Sequence, residues 1–259
     1  MKHRNILITI EYDGTDYQGW QAQRRLPCAA TVQETIENVL QRVLQNKIPL
    51  IGSGRTDAGV HAKGQRAHFK AVLKLGLPQL KKALNALLPG DIRIVRIRFV
   101  PDEFHARYDA KWKLYRYTVH NAICHSVFSR RYAMHFSQPL DVDSMRKAAG
   151  LLIGRHDFRS FQASDRVARD AVRTIKRIAV KKQGALIYID IEADGFLYNM
   201  VRNIAGTLIE IGRGKIPAAS MKKILAAKDR RLAGPTAPAQ GLCLIKVVYE
   251  KGTLTSSAR

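Results

Sequence analysis

Gly52-Ser53-Gly54-Arg55-Thr56-Asp57-Ala58-Gly59-Val60-His61-Ala62 sets an acid beside a base and a hydroxyl, among three glycines, directly after the apolar run Ile48-Pro49-Leu50-Ile51. Glycine reaches backbone conformations with φ > 0 and lets another backbone or a ligand approach closely. Three of them in so short a run predict a tight, shaped loop leaving a strand over Ile48–Ile51. Such a loop can fix the pose of one carboxylate, Asp57, with Arg55 and Thr56 orienting it. A surface turn carrying an ordinary ion pair would use the same residues. Local chemistry leaves both readings open, and the rest of the chain has to decide between them.

Upstream, residues 4–12 are rich in β-formers and alternate around Ile6, Ile8 and Ile10, which predicts a strand. Asp13–Gln21 follows as a loop of aromatic and amide side chains, with Arg24-Arg25 adding positive charge beyond it. Thr31-Val32-Gln33-Glu34 is a capping-box pattern, and Val32, Ile36, Val39, Leu40, Val43 and Leu44 then recur at helical spacing to about Gln45. Downstream, a short strand is expected over Gln65–Ala71 and a helix over Pro78–Leu88. Asp91–Val100 then reads as a strand with a basic face, Arg93, Arg96 and Arg98. Pro101–His105 marks a boundary.

The second half repeats the alternation. Lys111–Asn121 is strand-like, 122–138 a long loop, and Asp141-Val142-Asp143 opens a helix through Leu152. Arg173–Lys181 and Leu186–Ala193 predict a hairpin around Gln183-Gly184. Helices are expected from Leu197 to Ile211 and from Pro217 to Lys228, and a last strand from Leu242 to Tyr249. Each half mixes strands with two helices, so the fold class is α+β in two units: 1–104 carrying the Asp57 loop, 105–249, and a flexible tail over 250–259.

Charge narrows the function classes. Across 259 residues, 44 Lys plus Arg stand against 21 Asp plus Glu, a net +23 with a sequence pI of about 10.3. Such an excess attracts polyanions and speeds encounter with them, nucleic acid first among them. No apolar run approaches the roughly 18–20 residues that span a bilayer, and the N-terminus has no signal-peptide pattern. Cys28, Cys124 and Cys243 are odd in number and far apart, which suits buried or inert thiols in a reducing compartment. Cys124-His125 with His120 lacks a second cysteine pair at metal-ligand spacing, so no metal site is expected.

Three stretches bear on Asp57. In Lys111-Trp112-Lys113-Leu114-Tyr115-Arg116-Tyr117 the tyrosines share one strand face between cations, a pattern that suits stacking on unpaired bases and equally suits a half-buried strand. In Phe196–Asn203, Leu197, Val201, Ile204, Leu208 and Ile211 make an apolar stripe, with Asn199, Arg202 and Gly206 opposite. An arginine there could grip a carboxylate bidentately, or merely face solvent. Gly154–Phe161, with Arg166, Arg169 and Arg173 following, reads as a basic loop for phosphates or as plain surface charge. His61 and His68 are read as hydrogen-bonded structural residues rather than proton-transfer groups.

Several of these motifs, in this order, resemble tRNA pseudouridine synthase A, the TruA family. They are Tyr12–Gln21, Gly54–Ala62, Lys113–Tyr117, His156-Asp157-Phe158, Phe196–Asn203 and Gly234–Leu242. The resemblance runs from about residue 4 to 249. It implies two RRM- or ferredoxin-like α/β subdomains sharing a largely antiparallel central sheet around a basic cleft, and a cytoplasmic homodimer. It implies conversion of uridine to pseudouridine at positions 38, 39 and 40 of the tRNA anticodon stem-loop. On that resemblance Asp57 is the catalytic carboxylate and Tyr115 the aromatic over the target uracil. Arg202 is the ionic partner of Asp57, Leu242 part of the pocket wall, and Arg55 a contact to the RNA. The reaction moves the uracil from N1 to C5 attachment without net oxidation or hydrolysis, so no cofactor and no metal are expected. A non-catalytic tRNA-binding protein on the same fold, and an aspartate-dependent hydrolase, are the alternatives.

Overall fold

The computed structural model describes residues 3–21, 30–163, 170–250 and 252–254. Arg24-Arg25, Cys28, Arg166, Arg169 and most of the expected tail therefore lie outside the described residues. Among those described, ten strands and five α-helices run in this order. The first part holds β1 Arg4–Tyr12, α1 Val32–Leu44, β2 Ile51–Gly52, β3 His61–Ala71, α2 Leu77–Leu87 and β4 Ile92–Val100. The remainder holds β5 Ala110–Asn121, β6 Met134–Phe136, α3 Val142–Gly150, β7 Gly154–Asp157, β8 Val172–Gln183, β9 Leu186–Ala193, α4 Met200–Gly212, α5 Ser220–Ala227 and β10 Leu242–Tyr249. The fold is α+β, as the alternation of patterns predicts. The chain forms two compact units: 1–111 together with 244–259, and 112–243. The expected division at 104/105 lies a few residues earlier than this boundary, and residues from Leu244 onward group with the first unit. No local pattern can tell which half a terminal strand will pair with.

In the first unit β1 runs antiparallel between β4 and β3, and β2 pairs with β3. Ile6, Leu7, Ile8 and Ile10 are essentially fully buried, so β1 is covered on both faces. Each such side chain contributes roughly 1.5–3 kcal/mol relative to its exposed state. The alternation of β4 changes parity between Ile94 and Ile97, and the register explains it. Thr9 pairs with Arg96 while Ile10 pairs with Ile94, leaving Val95 as the extra residue of a bulge. Helix α1 starts where the capping pattern places it, with the Thr31 side chain accepting from the Glu34 amide at 3.3 Å, and ends at left-handed Gln45. The strand expected over Ile48–Ile51 reduces to Ile51–Gly52, since Pro49 has no N–H to give a ladder. Strand β3 begins at His61 rather than Gln65, so the end of the Asp57 loop is already sheet.

His68 is buried on β3, and its Nδ1 accepts from the Ala106 amide at 3.1 Å. Burial, with His105 and Lys70 nearby, pushes its pKa down to about 4. The folded state therefore favours neutral His68, while the unfolded chain takes up a proton near pH 6.5. The contribution is complete above that pH and is lost as pH falls from 6.5 towards 4. Urea unfolding at a series of pH values should show this decline, and His68→Gln should flatten that part of the curve.

In the second unit β5, β9, β8 and β7 follow one another in antiparallel pairs. Residues 122–138, expected as loop, contain β6, which pairs in parallel with β5 through Val119–Asn121. Cys124 is exposed and Cys243 half-buried, so burial does not describe these two thiols. The rings of His120, His125 and His135 lie 4.7–6.3 Å apart, yet among the described residues no group of three ligands is placed to hold a metal ion. No helix among them is long and apolar enough to cross a membrane. The segment Gly154–Phe161 is an edge strand and a 3-10 turn rather than a loop. Phe158 and Phe161 anchor it in the core, and Asp157 pairs with Arg159 at 3.3 Å and Lys228 at 3.4 Å.

Candidate active site

The expected site residues divide between the units, and each group is built within its own. In the first, Asp57 is half-buried in a loop gripped by a second loop, Asp13–Trp20. The Trp20 amide donates to the Thr56 carbonyl at 3.0 Å, and the Gly59 amide donates to the Tyr17 carbonyl at 3.3 Å. The buried hydroxyls of Tyr12 and Thr56 are 2.8 Å apart. A Cβ on Gly14 would stand 2.0 Å from the Val60 carbonyl oxygen. One on Gly19, whose φ is +86°, would stand 2.6 Å from that of Thr56. Here the glycines are required by close backbone approach, and their effect is to over-determine the residues on both sides of Asp57.

The remaining contacts fix the loop's ends. The Ser53 amide donates to Arg66 O at 2.7 Å, and Ser53 Oγ donates to Gln65 Oε1 at 2.7 Å, while Gln65 Nε2 returns to Gly54 O at 3.0 Å. Arg55 is exposed, with Nε donating to Gln21 Oε1 at 3.1 Å. His61 Nδ1 accepts the Gly14 amide at 3.0 Å. That bond needs a lone pair on Nδ1, so the 3.1 Å approach of Asp13 Oδ1 is no ion pair in this tautomer, and His61 serves as a brace between the loops.

In the second unit Tyr115 lies on β5, 7% exposed, with its ring edge-to-face on Phe196 at 5.0 Å. Tyr117 is fully buried and donates its hydroxyl to Pro238 O at 2.8 Å. Both tyrosines of this strand face are buried, Tyr117 completely. Helix α4 starts at Met200, later than the apolar stripe suggests, because Asn199 takes the left-handed conformation at φ 59°. Asn199 Oδ1 accepts Arg202 Nη1 at 2.9 Å. The other grip on Arg202 is the segment after Gly234: Arg202 Nε donates to Ala237 O at 2.7 Å, and the Ala237 amide donates back to Arg202 O at 3.2 Å. The solvated helix face is therefore excluded. Gly206 lies against that same segment, where a Cβ would meet Pro235 O at 1.8 Å. Leu242, 6% exposed, ends the segment and opens β10.

The wheel of α4 misses a buried polar node. Asn203 Nδ2 donates to Phe161 O at 2.8 Å, and Asn203 Oδ1 accepts from Thr236 Oγ1 at 2.7 Å and Arg230 Nη2 at 3.1 Å. Thr207 Oγ1 accepts the Gly234 amide at 2.9 Å. An Asn and a Thr inside an otherwise apolar stretch were the available signal, since buried polar groups must find partners.

The comparisons with known proteins follow the same segments. The tRNA pseudouridine synthase family model matches residues 8–109 and 148–250, well over half of the chain. This chain belongs to the tRNA pseudouridine synthase family. It is 47% identical over 246 residues to tRNA pseudouridine synthase A of Thermoanaerobacter sp. (strain X514), covering 95% of this chain and 100% of that one. The Moorella thermoacetica protein of the same name is 47% identical over 244 residues, with 94% and 99% covered. That of Brevibacillus brevis is 46% identical over 246 residues, with 95% and 100% covered. The family match takes in Arg55, Asp57, Arg202 and Leu242, and its two segments pass over Tyr115, which the full-length relatives span.

Proposed function

We propose that this chain isomerises uridine to pseudouridine in tRNA, at positions 38, 39 and 40 of the anticodon stem-loop, with Asp57 as the catalytic carboxylate. The observation that carries the reading is the match to synthases along nearly the whole chain, at 47% identity. The braced carboxylate loop and the net charge of +23 support it. The reaction breaks the C1′–N1 bond, turns the uracil and joins C1′ to C5. C5 gives up its proton and N1 gains one, so the balance closes without an oxidant or a water. A carboxylate serves this by adding covalently to the nucleoside or by taking a ribose proton, and either use requires it ionised. Arg202, held by Asn199 and Ala237, is the cation assigned to favour that state. Tyr115 covers the extruded uracil, Leu242 lines its pocket, and Arg55 contacts the RNA. A stem uridine must leave its stack at a cost of a few kcal/mol, which cationic contacts to the backbone offset.

The test is incubation with an unmodified tRNA transcript, followed by carbodiimide-blocked primer extension. Stops at the three positions are expected. Tight binding without stops would return the chain to an RNA-binding protein, and release of free uracil would make it a hydrolase. The same reading has the protein act in the cytoplasm as a homodimer, which sedimentation velocity checks. For Tyr115→Phe, turnover should fall by roughly 10²-fold or more if the hydroxyl takes part in proton transfer. Its melting temperature should stay near wild type, since the ring packing on Phe196 survives. Full activity would reduce Tyr115 to a packing surface.

A further inference from the structure

Strand register brings three arginines to one place on the first unit. On the face of β1 that carries Thr9, Thr9 is paired with Arg66 of β3 on one side and Arg96 of β4 on the other. One step along, Leu7 is flanked by His68 and Arg98. Directly paired residues in a sheet have Cβ atoms about 5 Å apart, so Arg66 and Arg96 rise on either side of the threonine. Arg66 and Arg96 themselves stand two strands apart, about 10 Å at Cβ, and their charges still act on one another.

Among the described residues no acidic side chain pairs with these arginines. Glu11, the next acid on that face, is paired in the register with Arg93, and Asp109 accepts the His105 amide. Burial and the charges of Arg96 and Arg98 together lower the pKa of Arg66, while the Tyr249 hydroxyl nearby opposes them. Arg98 donates to the Leu254 carbonyl, a neutral acceptor.

A second observation marks the same point. Thr9 is 8% exposed, and its Oγ1 has no hydrogen-bond partner. A buried hydroxyl left unpaired is costly, and Val would fill the same space without that cost. A donor hydroxyl between two cations is the chemistry of an oxyanion site, in which guanidinium forks and an O–H share the oxygens of one tetrahedral group.

We propose that Thr9, Arg66, Arg96 and Arg98 form a binding site for a phosphodiester of the RNA backbone, on the sheet that anchors the Asp57 loop through the Ser53 amide and Arg66 O. The choice of RNA as the source rests on the tRNA reading above.

The experiment measures binding of an unmodified tRNA transcript across a series of KCl concentrations for wild type, Thr9→Val and Arg96→Gln, with thermal melting of each. Both variants should bind several-fold more weakly. The slope of log K against log salt should fall in Arg96→Gln by about 0.7–0.9 for each phosphate that is no longer neutralised. Thr9→Val should melt no lower than wild type, because it discards an unsatisfied hydroxyl. Unchanged affinity and slope in both variants would overturn the site. A lower melting temperature for Thr9→Val would make the hydroxyl structural and overturn its assigned role. Titration with inorganic phosphate separates the sources. Phosphate binding that Thr9→Val abolishes, with tRNA affinity unmoved, would replace the RNA backbone by a free anion. Turnover is read independently. A wild-type protein that shows this salt slope but makes no pseudouridine would sink the enzymatic reading and leave the anion site standing.

Discussion

Asp57→Ala is expected to abolish pseudouridine formation, by about 10⁴-fold or more if the carboxylate acts covalently, while tRNA binding persists. The two halves of that expectation have separate causes. On the proposed role the chemistry loses its carboxylate, and nothing else in the loop is placed to replace it: Thr56 is committed to Tyr12, and His61 braces Gly14. Binding depends on many cations against one polyanion, and deleting a single acid from a chain of net charge +23 does not weaken that attraction. The fold should also survive. The contacts that shape the loop run through the backbone of Thr56, Asp57 and Gly59, and a side-chain truncation leaves them in place. Asp57→Asn, which keeps the volume, should be equally inactive. Single-turnover assays beside filter binding check both halves, and turnover near the wild-type rate in either variant would remove Asp57 from the mechanism.

Gly206→Ala should destabilise the protein by about 3 kcal/mol or more, although alanine is the better helix former by roughly 1 kcal/mol. The new Cβ would sit 1.8 Å from Pro235 O, and neither side can easily yield. Helix α4 is buried nearly all round, and the segment after Gly234 is tied to it at Thr207, Asn203 and Arg202. The same displacement would carry Ala237 away from the Arg202 guanidinium. Turnover should therefore fall at temperatures where the variant is still folded. Urea unfolding measures the first effect and single-turnover kinetics the second. A variant as stable as wild type with full activity would show that the contact is soft.

The elements were legible where pattern and period agree. The Thr31 N-cap of α1, the hairpin around Gly184 and the bounds of β10 all follow from local chemistry. Local pattern and structure part where long-range partners decide. Asn199 goes left-handed and delays α4, although the apolar stripe continues through Leu197. Phe158 and Phe161 pull a charged-looking segment into the core. The parity change in β4 was visible in Ile94 and Ile97, and only the register identified it as a bulge. At the candidate site, Asp57 stood out through its glycines. The interlocking of Gly14 and Gly19 with the Asp57 loop could not be read from spacing, because it joins loops that are distant in sequence. Residue roles for Tyr115 and Arg202 came from resemblance, and the structure adds what holds each in place.

The last strand has a consequence for biosynthesis. Residues from Leu244 onward belong with the first 111, where Gly64 lies against the Ile245 backbone and Tyr249 donates to Ala106 O at 2.8 Å. A ribosome delivers the second unit whole before that strand exists. Until then β3 presents ladder groups that await a partner, and an open edge is where a nascent chain pairs wrongly. The first unit to emerge is thus the last to close, and a message cut short before Leu244 yields a chain whose Asp57-bearing unit lacks one of its strands.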